Sequence, residues 1–150
     1  MARYGRSQAQ ELLSRGDAEE ALEAADADIA ARGEGQGAAS AWLDRGAALD
    51  MLERYAEAAD AFERAFELDV AGDLDRLELD DGYFSAALAA GRDEATRGDV
   101  SKAAARLDTY VSRFPLGNHV AEAKTWKARM RGEMPSLLDK TRDANDVDLP

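Results

Sequence analysis

The chain has 150 residues and a net charge of −12, a length sufficient for one domain with a real core. It has no cysteine and a single histidine, His119, which excludes disulfides and thiolate metal sites and most histidine-based chemistry. An acidic chain without a Lys/Arg run is not expected to bind nucleic acid, and without a long apolar run it is not expected to insert into a membrane.

The first residues, MARYGRSQAQELL, contain no apolar segment of signal-peptide type. A cytoplasmic location is therefore expected, or a periplasmic or envelope-associated one if a targeting segment is missing. Residues 3–15 and 18–32 read as two helices joined at Gly16. Asp17, with Glu20 three residues on, has the pattern of a capping box, and Ala21, Leu22, Ala25 and Ile29 form the inner stripe of the second helix. Gly33-Glu34-Gly35-Gln36-Gly37 ends that helix and reads as a flexible joint.

Two more helices are expected near 38–52 and 56–68. Trp42, Gly46 and Leu49 share a face of the first; Tyr55, Ala58, Ala59, Phe62, Ala65, Phe66 and Leu68 recur at helical spacing in the second. Large residues alternate with small ones, as close-packed helices require. The stretch 69–82, DVAGDLDRLELDDG, reads as an acidic loop pinned to the body by Leu74, Leu77 and Leu79. Counting from Asp73, the fifth and sixth places are Leu77 and Glu78, so the calcium-loop pattern fails. Helices near 83–97 and 101–113 follow, with Gly91 at a tight contact, Gly98 at the turn and Ser101 as N-cap after Val100. A last helix over 119–131 stops at Gly132 and Pro135, and residues 135–150 form a short polar tail.

Trp42, Gly46, Tyr55, Ala58, Phe62 and Ala65 stand in the order W…G…Y…A…F…A. This stretch resembles the tetratricopeptide repeat (TPR), a helix-turn-helix unit of about 34 residues. Arg45, Glu53 and Val70 stand where the family has leucine, its turn glycine and proline. Gly16 and Ala21 occupy family places in a degenerate first repeat; Gly91, Gly98, Ala103, Leu107 and Pro115 occupy them in a third. The resemblance implies an all-α fold: a right-handed superhelical solenoid of antiparallel helix pairs. Its three repeats would cover about 2–37, 39–72 and 84–117, closed by a capping helix over 119–131 within a domain of 1–134. Through Phe114, Pro115, Ala121 and Ala123, the segment YVSRFPLGNHVAEAKTWKARM also resembles an aromatic-Pro junction of TPR proteins of bacterial envelope machinery.

Nucleophilic catalysis needs a base oriented beside its nucleophile, and His119, after Asn118 at a helix start, reads as an exposed or capping residue. Gly33, Gly35 and Gly37 lack the Lys-Ser/Thr of a phosphate loop. No enzymatic activity, cofactor or metal is expected. The resemblance implies a protein–protein interaction module, adaptor or scaffold, holding a peptide or helical segment of another protein in a concave groove. By that resemblance the groove is lined by Arg3, Arg6 and Gln10, then Leu43, Ala47 and Asp50, then Ser85, Leu88 and Arg92, with Trp126 added by the last helix. The arginines either pair with neighbouring acids or face the ligand. The alternative is a structural subunit of a larger assembly, self-associating or bacterial envelope-associated.

Overall fold

The computed structural model describes residues 7–132, and within them every regular element is a helix. These are α1 (Gln8–Ser14), α2 (Ala18–Arg32), α3 (Ala38–Met51), α4 (Tyr55–Leu68), α5 (Arg76–Thr96), α6 (Val100–Arg113) and α7 (Val120–Met130). The expected boundaries hold within a residue or two, except at the starts of α1 and α5. Arg3, Gly5, Arg6, Pro135 and the tail 135–150 lie outside the described residues. The helices fall into two units, Met1–Ala90 and Gly91–Pro150, with the boundary inside α5.

In the first unit α2 packs on both α1 and α3, α3 packs on α4, and α1 also touches α3. The interfaces are built largely on alanine: Ala21, Ala25, Ala48, Ala58, Ala61 and Ala65 are fully buried. Such short side chains let helix backbones approach closely, and one large side chain fills the remaining gap. The Phe62 ring of α4 lies against two glycines. A Cβ on Gly46 of α3 would come within 2.9 Å of its Cδ1 and Cε1, and a Cβ on Gly82 of α5 within 2.8 Å of its Cζ. α4 therefore wedges its aromatic ring between α3 and α5.

The acidic stretch is shorter as a loop than its composition suggests. Asp69 accepts hydrogen bonds from the backbone N–H groups of Asp73 (2.8 Å) and Leu74 (3.2 Å), which folds residues 69–74 back on themselves. Asp75 then accepts from the N–H groups of Leu77 and Glu78, supplying the N-terminal cap that starts α5 at Arg76 rather than near 83. Leu79 and Tyr83, one turn apart, are buried, so one face of the first two turns of α5 belongs to the core. Leu77 is exposed and pins nothing.

Three helix pairs, α1–α2, α3–α4 and α5–α6, close with the same turn. The N–H groups of Asp17, Arg54 and Asp99 each donate to a carbonyl five residues back, on Leu12, Leu49 and Glu94. The residue before each is left-handed: Gly16 at φ 83°, Glu53 at φ 61° and Gly98 at φ 96°. This is the Schellman closure, whose tight reversal calls for a positive φ. The equivalent interior positions are buried in all three pairs: Ala9, Gly46 and Gly91 on the first helices, Ala21, Ala58 and Ala103 on the second.

The caps differ from expectation. Asp17 makes no side-chain cap bond; the capping box forms one helix earlier, where Ser7 Oγ accepts from Gln10 N–H and Gln10 Oε1 accepts from Ser7 N–H. Asp99, not Ser101, caps α6, accepting from Lys102 N–H at 3.1 Å. For α6 this follows from the turn, whose backbone places the cap one residue after the left-handed position, where Asp99 reaches forward; Asp17 occupies the equivalent place before α2 without making the bond. The glycine-rich joint is also braced, by Arg32 donating to the Gln36 carbonyl and by an Arg64–Glu34 ion pair.

In the second unit, Leu107 and Tyr110 of α6 and Ala123 of α7 are fully buried. The Tyr110 hydroxyl accepts from His119 N–H at 3.1 Å, tying the start of α7 to α6, and its ring stacks on Phe114. Glu94, 8% exposed, takes the place that Leu49 holds in the preceding pair. Arg106 Nε lies 2.8 and 3.0 Å from its two oxygens, with Lys102 at 3.8 Å.

Candidate functional site

Of the ten expected lining residues, eight lie in the described chain. Leu43 is a correction: at 5% exposure it belongs to the core. Its place on α3 falls among Ala41, Asp44, Gly46 and Ala48, all buried, so α3 is enclosed on more than the one face the spacing suggested. Ser85 is open to solvent; Gln10, Ala47, Asp50 and Leu88 are half-buried; all belong to the first unit. Arg92 is exposed and Trp126 half-buried in the second.

The first unit contains a polar centre that spacing alone did not reveal. Asp44 of α3 is 5% exposed and accepts from Ser7 Oγ at 3.1 Å and from the Gln10 side chain. Burial pushes its carboxyl up from 3.8 to about 6, with the negative charges of Glu78 and Asp28 adding to the rise and the two hydrogen bonds opposing it. The cap of α1 and the middle of α3 thus meet at one carboxylate, which also feels the charges of Glu78 on α5 and Asp28 on α2. Asp50, two turns along α3, has Oδ1 shielded from solvent without a hydrogen-bond partner, and burial raises its pKa as well. Glu78 is raised chiefly by burial and next by Asp75. The only sequence signal for Asp44 was an acid within two residues of Trp42 and Gly46, on a helix otherwise lined with alanine.

In the described part of the second unit the balance of charge is reversed. Residues 7–90 contain 21 Asp/Glu and 6 Lys/Arg; residues 91–132 contain 5 and 9. On α7 the Trp126 ring lies under two guanidiniums, Arg92 of α5 at 4.8 Å and Arg129 at 4.5 Å from its centroid. Four other cations of this unit lie beside carboxylates: Arg106 and Lys102 share Glu94, Arg97 pairs with Asp93, and Lys127 with Asp108 at 2.6 Å. His119 Nδ1 lies 3.7 Å from Glu122, and its side chain gives no helix cap.

Among the described residues, no three His, Cys, Asp or Glu side chains gather as a metal site, and no helix is long and apolar enough to cross a membrane. Comparisons with family models, with curated proteins and with solved structures gave no match.

Proposed function

We propose that this chain is a non-catalytic, TPR-like protein–protein interaction module, working in the cytoplasm as an adaptor or scaffold. The observation that carries the reading is the shared Schellman turn in three successive helix pairs, with small buried residues at equivalent places. Within the first unit each second helix also packs on its own first helix and on the next one, as stacked repeats do. Such stacking leaves the first helices α1, α3 and α5 to line a binding surface. Gln10, Ala47, Asp50, Ser85 and Leu88 are the residues proposed to meet a peptide or helical segment of another protein there. Ser85 is exposed and Ala47 and Leu88 are partly so, which leaves each of them accessible to a ligand. Asp50, with an unsatisfied buried oxygen, offers an acceptor for a donor brought by the ligand.

The test is binding of a partner purified from the native host to the variants Ser85→Arg and Ala47→Glu. Both are expected to weaken binding by at least about tenfold, because each puts bulk and charge into the contact. Arg54→Glu, at an exposed position paired with Glu57, is expected to change nothing. Weakening by Arg54→Glu alone would move the site to the second helices and overturn the reading.

A further inference from the structure

The geometry points to a second, acid-recognising surface on the C-terminal unit: the pair of guanidiniums that Arg92 and Arg129 hold over Trp126, which we propose docks an acidic segment of the protein partner. It deepens the reading of the chain as a partner-binding module and rests on it.

The argument begins with which cations are satisfied. In an acidic chain, an arginine is expected to find a carboxylate. Arg97, Lys102, Arg106 and Lys127 do. Among the described residues Arg92 and Arg129 ion-pair with none, and both lie over one indole ring. A guanidinium stacked on an aromatic face is held by the ring quadrupole while its in-plane N–H donors stay available. Those donors fit carboxylates two at a time. The indole thus holds two like charges, at 4.8 and 4.5 Å from its centroid, an arrangement that an anionic ligand neutralises and water only screens. Exposed Lys124 lies on the same helix.

Charge across the chain selects the occupant. Residues 91–132 have a surplus of bases in a chain whose residues 7–90 are strongly acidic. An acidic segment approaching at random is repelled by the latter and drawn to the former, so long-range electrostatics favour this docking place. A second copy of the chain would bring its own excess of acids and is repelled as a whole. The carboxylates recognised are those of Asp or Glu side chains, two or more within reach of neighbouring guanidiniums, with an apolar residue between them for the exposed part of Trp126.

The experiment uses the full chain carrying Trp42→Phe, so that Trp126 alone reports by fluorescence. The probe is a synthetic peptide alternating Glu with Leu and Ala; the comparison peptide has Lys in place of Glu. The Glu peptide is expected to shift Trp126 emission saturably, and less as salt rises from about 20 to 200 mM. The double variant Arg92→Gln, Arg129→Gln, its helical signal intact, is expected to bind about tenfold more weakly, and Arg129→Gln alone about threefold. Arg54→Gln is expected to bind as before. Equal binding of the Lys peptide, no response to about 0.5 mM peptide, or indifference to the double variant overturns the proposal. So does a response only to phosphatidylserine vesicles or only to rising concentration of the chain itself. If Ser85→Arg and Ala47→Glu abolish partner binding while Arg92→Gln with Arg129→Gln does not, this inference fails and the wider reading stands.

Discussion

Glu53 carries a conformational cost that its two counterparts avoid. Gly16 and Gly98 take the left-handed turn freely, whereas a residue with a Cβ is strained there by roughly 1–2 kcal/mol. Glu53→Gly is therefore expected to stabilise the chain by about 0.5–1 kcal/mol, part of the relief being offset by the freedom glycine gains when unfolded. Chemical denaturation checks it, and a loss of stability would show that Glu53 makes a compensating contact. Asp44 is the second costly residue. Its folded pKa, about 6, lies above the ordinary 3.8. Its contribution to stability is thus fully present below about pH 4 and is lost as pH rises through about 6. Asp44→Asn is expected to raise the melting temperature at pH 7.5, by an amount corresponding to at most about 3 kcal/mol, with the gain shrinking to nothing near pH 4. A difference independent of pH would mean that the Asp44 carboxyl titrates alike in the folded and unfolded chain. At Phe62 the sign reverses: Phe62→Ala is expected to cost about 3–5 kcal/mol, and Gly46→Leu to destabilise because the ring already fills the space a Cβ needs.

At the scale of elements, the helix pairs were legible from two kinds of signal: the turn residues at 16, 53 and 98, and the recurrence of small residues seven before and five after each. α5 was not, for a physical reason. Its first turns are written in acids, DRLELDD, which by composition resemble a solvated loop. The decisive residue is Asp75, whose side chain caps the helix, followed one turn on by Leu79 in the core. Asp75→Ala is expected to cost about 1 kcal/mol and to fray α5, seen as faster amide exchange at Leu77 and Glu78. Glu94 shows the opposite difficulty. Nothing in the spacing reveals that a charged residue fills the place of Leu49, because its partner Arg106 comes from the next helix. Removing that partner leaves a buried carboxylate with only Lys102 nearby. Arg106→Ala is expected to destabilise by about 3 kcal/mol, and the double change Glu94→Leu, Arg106→Met to be close to neutral. Thermal melts of the single and double variants decide between them.

For the whole molecule, the candidate site was legible in part. Ser85, Leu88 and Ala47 were expected on the lining because a repeat fixes which positions recur on one helix face, and all three are at least partly exposed. Leu43 was misplaced because α3 is enclosed on several sides. The platform at Trp126 combines residues of α5 and α7, far apart in sequence, and only the segregation of bases after residue 90 announced it. The central claim is that successive first helices carry the partner. Amide hydrogen exchange of the full chain, with and without a partner purified from the host, tests it most directly. Binding is predicted to slow exchange in α1, α3 and the Gly82–Ala90 part of α5, and to leave the outer turns of α2 and α4 unchanged. Protection confined to α2 and α4, or spread evenly along the chain, would contradict the account.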